Sequence, residues 1–260
     1  MVTGVLPLAL EEATKTIQAF LITGKEYACL MTLHGDVGDK QLQATMEEFV
    51  GDIYQKPPVR AAVKREVRKR HIYSIKDIEV DGRQVLFRVS CQAGTYIRKL
   101  VYDVGEVLQV GAHMRELRRV RAGPFTEDTI YTLYDILKLS QASGTEREEL
   151  ARRIIVPMEN AFQYISKIYI RDSAVSAVCH GADLAVPGVV RLTEGIRINS
   201  AVALFTLKGE LVALSKALMS SEQVLEVEKG LVAKTLRVVM PPDVYPRMWK
   251  TKEKVSIPPS

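Results

Sequence analysis

Two strand-like runs, Ile72 to Val80 and Val85 to Cys91, are separated by Asp81-Gly82. That dipeptide accepts the positive φ angles of a tight turn, so the runs are expected to pair as an antiparallel hairpin. Gly94 then turns the chain, and Thr95 to Leu108 has helical spacing, with Thr95 as the expected cap and Gly105 as an interruption. Strand, glycine and helix in this order place Arg98 on the first helical turn, beside the carboxyl end of a strand. An arginine there suits a held carboxylate or a phosphate gripped in two-pronged fashion. It equally suits an ordinary strand-to-helix junction with an exposed side chain.

The rest of the first half supplies elements around this unit. Leu8 to Leu21 reads as a helix with Leu10, Ala13, Ile17 and Leu21 on one face, ended by Gly24. Tyr27 to Leu33 is strand-like, Asp39 to Val50 is a second helix closed by Gly51, and Met114 to Arg121 is a strand with alternating arginines. Lys56-Pro57-Pro58 can neither continue a helix nor sit centrally in a sheet, so it is expected to be an exposed, stiff connector. Helical segments are expected at Leu133 to Leu139 and Glu146 to Phe162.

From about Lys167 the texture changes. Short β-branched runs recur between Gly181, Gly188, Gly195, Gly209 and Gly230, a spacing that suits a small β-barrel. The expected fold is therefore α+β: a mixed-sheet core over residues 1–166, a small barrel over 167–241, and a loose Pro- and Lys-rich tail over 242–260. With 47% apolar and 26% charged residues in 260, the chain can build a real core in each part. No apolar run approaches the roughly 20 residues needed to span a bilayer, and no secretory signal is visible. Cys29, Cys91 and Cys179 are odd in number and far apart, which argues against a disulfide framework and for a reduced, cytoplasmic chain. His34, His71, His113 and His180 share no ligand spacing, and phosphate-loop, dinucleotide and nucleophile-elbow motifs are missing, so no metal or organic cofactor is indicated.

The net charge of +5 is mild, but its placement is not random. Lys56, Arg60, Lys64, Arg65, Arg68, Lys69 and Arg70 crowd one stretch against Glu66 alone, and Arg115, Arg118, Arg119 and Arg121 crowd another against Glu116 alone. Two such clusters point to a nucleic-acid partner.

Several motifs occur in a fixed order: Val2-Thr3-Gly4-Val5-Leu6-Pro7, Gly24-Lys25-Glu26-Tyr27, Lys56-Pro57-Pro58 with Ala61-Ala62-Val63-Lys64-Arg65, Ala93-Gly94-Thr95-Tyr96-Ile97-Arg98, and Gly111-Ala112-His113-Met114-Arg115-Glu116-Leu117-Arg118-Arg119. Together they resemble the dyskerin-type archaeal H/ACA pseudouridine synthases of the TruB class. Ile170-Arg171-Asp172-Ser173-Ala174-Val175, His180-Gly181-Ala182 and Pro187-Gly188-Val189 resemble that family's PUA domain.

The resemblance implies isomerisation of uridine to pseudouridine in RNA without any cofactor. The expected partners are an H/ACA guide RNA, a substrate rRNA or tRNA, and small accessory proteins, with no membrane. It implies that Tyr27 stacks on the everted base, that Arg98 pairs with the catalytic aspartate, and that Leu117 shapes the uracil pocket, a role compatible with that of a plain core leucine. Lys56, Lys64, Arg65, Arg68, Lys69, Arg118 and Arg119 would meet RNA backbone, and Ser173, Ala174, His180 and Gly181 the ACA end of a guide. The family's nucleophilic aspartate stands in an Asp-Pro segment just before Val-Thr-Gly, where this sequence has Met1. Asp36, Asp39 and Asp103 are not placed to substitute. The chain as given is thus expected to be truncated at its start and inactive. Alternatives are a stand-alone enzyme acting on uridine 55 of transfer RNA, and a truncated RNA-binding protein.

Overall fold

The structure, a computed structural model, describes residues 2–17, 19, 23–57 and 64–247. The chain divides into two compact units, one of residues 1–8 and 18–156, the other of residues 9–17 and 157–260.

The first unit is built on a seven-stranded mixed sheet. Its strands are β1 (Val2–Gly4), β2 (Lys25–Leu33), β3 (Gly51–Gln55), β4 (Arg68–Asp81), β5 (Gln84–Cys91), β6 (Ala112–Ala122) and the short β7 (Phe125–Thr126). The order is β1-β6-β2-β5-β4-β3, with β7 paired to β6. Only β1 runs parallel to its neighbour, Val2 opposite Leu117 and Gly4 opposite Arg119. The expected hairpin is present, β4 to β5, but its turn lies one residue later: Asp81 pairs with Gln84, leaving Gly82 and Arg83 at the tip. Gly82 has φ +57°, which its lack of a side chain makes inexpensive.

In β2 the residues Cys29, Met31 and Leu33 alternate inward and are buried, with Tyr27 at the end of the same row. Helix α1 (Asp39–Glu48) buries Leu42, Thr45 and Met46, spaced for one face. Helix α2 (Ile97–Val107) buries Ile97, Leu100, Val101, Val104 and Gly105 in the core that also holds Leu117, Phe87 and Cys29. Gly105 does not interrupt α2. It lets the helix press onto β6, since a Cβ at that position would lie 2.2 Å from the backbone nitrogen of Ala112. Helices α3 (Leu133–Gln141) and α4 (Gly144–Ile154) complete the unit, α3 capped by a Thr132–Asp135 box.

Several local expectations fail for physical reasons. The chain is not helical from Leu8 to Leu10, Glu11–Thr16 forms a 3-10 helix, and Leu8, Leu10 and Ile17 are exposed, so these side chains face no core among the described residues; residues 18 and 20–22, Leu21 among them, lie outside the described residues. Thr95 is not the cap of α2: that position is Tyr96, and the Thr95 hydroxyl donates to the Gln92 carbonyl at 2.7 Å. Pro57 is buried rather than exposed. Glu146 to Phe162 is not continuous, because Pro157 separates α4 from a 3-10 turn at Met158–Phe162. Pro58, Arg60 and the tail beyond residue 247 lie outside the described residues.

The second unit carries a six-stranded sheet of β8 (Ser166–Ile170), β9 (Leu184–Ala185), β10 (Val189–Leu192), β11 (Ala201–Phe205), β12 (Leu211–Ala217) and β13 (Leu231–Val238), in the order β10-β8-β11-β12-β13-β9. The two ends of this path, β9 and β10, are joined by only Val186–Gly188. Three residues reach at most about 10 Å, so the sheet must curl until its edges are close, which gives the barrel-like shape. Helices α5 (Asp172–Cys179) and α6 (Ser221–Glu226) flank it. No helix among the described residues is long and apolar enough to cross a membrane.

Candidate active site and RNA-binding residues

Tyr27 and Leu117 project from the sheet face covered by α2. Tyr27 is paired with Arg119 across β2 and β6, and Cys29, two residues on, is paired with Leu117. Leu117 is only 7% exposed and belongs to the core, while Tyr27 packs against the edge of that core. Burial, ahead of the neighbouring Cys91 sulfur, pushes the Tyr27 phenol up, and the charge of Arg119 pulls it the other way. The phenol therefore stays neutral at pH 7, a ring with a hydrogen-bonding tip.

Arg119 has further partners. Its Nε donates to the Val5 carbonyl at 2.6 Å, and the Val5 amide donates to the Arg119 carbonyl at 2.8 Å. This arginine thus ties the exit of β1 to the Tyr27 row. Burial, then the charge of Arg119, lowers the Lys25 ammonium, so two cations flank Tyr27. Cys29 and Cys91 are buried core thiols, pushed by burial up to about 12 and about 11.

Arg98 lies on the first turn of α2, exposed, with no hydrogen-bond or ion-pair partner among the described residues. Cys91, where β5 ends, is paired with Lys25, two residues before Tyr27. The connection into α2 therefore leaves the sheet at the Tyr27 end. That connection is pinned from two strands. Gln55, at the end of β3, donates from Nε2 to the Tyr96 carbonyl at 3.2 Å and accepts the Tyr96 amide on Oε1 at 2.9 Å. From β4, the Arg70 guanidinium donates to the Gly94 carbonyl at 3.2 Å, and His71 exchanges hydrogen bonds with Gln92. Sequence reasoning missed Gln55 and Arg70 in this role. The available signal was a glutamine two residues after Ile53, hence on the inward face of a strand that the sequence reading left unassigned.

The carboxylates considered as substitutes are engaged or remote in sequence. Asp36 is held by Arg83 at 2.7 Å, which keeps its carboxyl below the usual range, and Asp103 pairs with Lys99 along α2. Asp39 begins α1.

Within the basic stretch, Lys56, Lys64 and Arg65 are exposed and Arg68 is partly exposed. Lys64 pairs with Glu66, an exposed contact worth little. Arg65 donates to the Pro57 carbonyl at 3.3 Å and Arg68 to the Lys64 carbonyl at 3.4 Å. Lys69 is bound to Asp52 at 2.7 Å, and Arg118 to Glu127.

In the second unit, Ser173 and Ala174 lie on the first turn of α5, whereas His180 and Gly181 follow its last turn, at the opposite end of the helix. Gly181 has φ +91°. His180 Nδ1 lies 2.7 Å from the Ser176 carbonyl, which can only accept, so Nδ1 carries the proton and Nε2 accepts from Arg247 at 3.2 Å.

Three family models cover this chain in sequence order. Residues 1–97 match the TruB family pseudouridylate synthase N-terminal domain, 98–163 the tRNA pseudouridylate synthase B C-terminal domain, and 166–239 the PUA domain. The chain belongs to the TruB family of pseudouridine synthases. Among its TruB relatives, the probable tRNA pseudouridine synthase B of Methanopyrus kandleri is 52% identical over 96% of this chain and 75% of the relative. That of Thermococcus kodakarensis is 53% identical over 97% of this chain and 75% of the relative. Of solved structures, one of a Cbf5-Nop10-Gar1 complex matches with a TM-score of 0.90 at 51% identity, over 95% of this chain and 76% of that one. A second, of an H/ACA RNP bound to a substrate RNA containing 2'-deoxyuridine, matches with a TM-score of 0.85 at 48% identity and the same coverage. The TruB-type core and the PUA domain correspond to the mixed sheet and the barrel-like sheet described above.

Proposed function

We propose that this pseudouridine synthase acts as the catalytic subunit of an H/ACA guide particle, with a core over 1–166, a PUA domain over 167–241 and a terminal tail over 242–260. The observation that carries the reading is the common end of the sheet where Tyr27, Leu117 and the turn into Arg98 meet, in a chain so similar to the Cbf5 of H/ACA complexes.

The chemistry follows from these groups. The target uridine leaves its stack at a cost of a few kcal/mol. Stacking on Tyr27 returns roughly 1–3 kcal/mol, and Leu117 supplies an apolar wall to the pocket. An aspartate attacks the ribose carbon, and the bond from that carbon to N1 breaks. The freed base turns, its C5 bonds to the same carbon as the aspartate leaves, N1 takes up a proton and C5 loses one. Arg98 keeps that aspartate ionised, since a neighbouring positive charge favours the charged carboxylate. The acid comes from the Asp-Pro segment that the family carries ahead of Val2, and β1 enters the sheet beside Leu117. Isomerisation is accordingly assayed in an extended chain, one that carries that Asp-Pro segment ahead of Val2.

Guide RNA, substrate rRNA or tRNA, and small accessory proteins of the Nop10 and Gar1 kind are the proposed partners. Lys56, Lys64, Arg65, Arg68, Lys69, Arg118 and Arg119 face RNA backbone, and Ser173, Ala174, His180 and Gly181 take the ACA end. Pseudouridine formation by the extended chain, with guide RNA present and absent, tests the reading; conversion of a guided target only when its guide is present is the expected result. A second reading, stand-alone action on uridine 55 of transfer RNA, is favoured by the names of the relatives. It predicts conversion of bare transfer RNA at an equal rate without guide.

Replacing Lys64, Arg65 and Arg68 together by glutamine is expected to weaken RNA binding and to flatten its salt dependence. Each lost phosphate contact removes about 0.7–0.9 from the log–log slope, hence about 2–3 in all. Filter binding between low and moderate salt checks it; an unchanged slope removes these side chains from the interface.

A further inference from the structure

We propose that Gln55 is a positioning residue for Arg98, acting by fixing the start of helix α2 through a two-point clamp on the Tyr96 backbone. The inference rests on the role given to Arg98 above.

Gln55 is 2% exposed, one of few buried polar side chains in the first unit. A buried amide costs stability unless its donor and acceptor both find partners. Here both do, and both partners belong to one residue: Nε2 donates to the Tyr96 carbonyl and Oε1 accepts the Tyr96 amide. Gln55 and Tyr96 thus pair as adjacent strand residues do, although Tyr96 is the N-cap of a helix. That cap makes no side-chain hydrogen bond of its own. Helix ends are the parts that fray first unless held, and Arg98 sits two residues inside this one. Its own side chain has no partner among the described residues to hold it, so its placement depends on the backbone beneath it. A strand on the far edge of the sheet therefore sets the geometry of the helix turn that carries the charge.

The clamp predicts a loss in the chemical step rather than in RNA binding. In the extended chain, Gln55→Leu is expected to slow single-turnover isomerisation roughly ten- to hundredfold, since misplacement by about 1 Å is enough for such a loss. RNA affinity is expected to remain within about twofold. On an Arg98→Ala background the same substitution is expected to add no further loss, because residues acting as a unit are non-additive. Equal losses on both backgrounds, or a loss that follows RNA affinity, would overturn the clamp. Should Gln55→Leu fail to fold, Gln55→Met, similar in length and without hydrogen-bonding groups to match the amide, is judged by the same comparison. If Arg98→Ala itself leaves turnover unchanged, the role of Arg98 falls, and the clamp falls with it. If Arg98→Ala is slow while Gln55→Leu and Gln55→Met keep the parent rate, only the clamp falls.

Discussion

Arg98→Ala in a form that carries the family's Asp-Pro segment ahead of Val2 is expected to slow pseudouridine formation by at least about 100-fold, while RNA binding changes little. The reason is electrostatic. A carboxylate attacking a nucleoside beside an apolar wall is penalised by desolvation, and a fixed guanidinium offsets that penalty. Removing one preorganised charge partner of this kind costs on the order of 10²–10³ in rate. Arg98→Lys restores charge but not the two-pronged geometry and is expected to recover only part of the loss. Release of tritium from RNA labelled at uridine C5 measures the rate, and gel-shift titration the affinity. An Arg98→Ala rate within a factor of three of the parent would remove Arg98 from the reaction.

The largest effect on stability is expected at Gly105. Its missing side chain lets α2 lie against β6, with the Ala112 nitrogen, the Gly111 carbonyl carbon and the Ala112 methyl all within 2.7 Å of where a Cβ would stand. Two of these are backbone atoms that cannot rotate away, so Gly105→Val must displace the helix or the strand. A loss of about 3 kcal/mol or more follows, at the upper end of overpacking costs. Gly38→Ala is the control: its φ of −69° is ordinary and nothing lies within 4 Å of a new Cβ. Its effect is expected to stay under about 1 kcal/mol. Urea unfolding of both variants gives the comparison, and equal midpoints would show that the close approach is not limiting.

The parts of this fold that were legible in the sequence are those written in local periodicity. The β4–β5 hairpin was visible because a turn dipeptide separates two β-branched runs, and β2 because Tyr27 to Leu33 is a short apolar run. The second unit was visible through its recurring glycines between short β-branched runs. Features decided by tertiary packing were not legible. Leu10 and Ile17 have helical spacing, yet both are exposed. Gly105 looked like a break in a helix and is instead a contact point, because nothing in the sequence near it announces that Ala112 will lie against it. The same holds for the site. Tyr27, Arg98 and Leu117 are singled out by motif order, whereas Gln55 lies 41 residues from Tyr96 in sequence, and no short-range pattern joins them. Arg119 carried a basic-cluster signal that hid its structural engagement with Val5 and Tyr27.

Gly4 lies at φ +96° with the Arg119 backbone 2.1 Å from where a Cβ would be, and Val5 is locked to the same residue in both directions. The first strand is thereby zipped flush against β6 with no room for slack. The backbone of Gly4 and Val5 is consequently a fixed footing on which the Arg119 side chain, and beside it the Tyr27 row, is aligned with hardly any lateral wander.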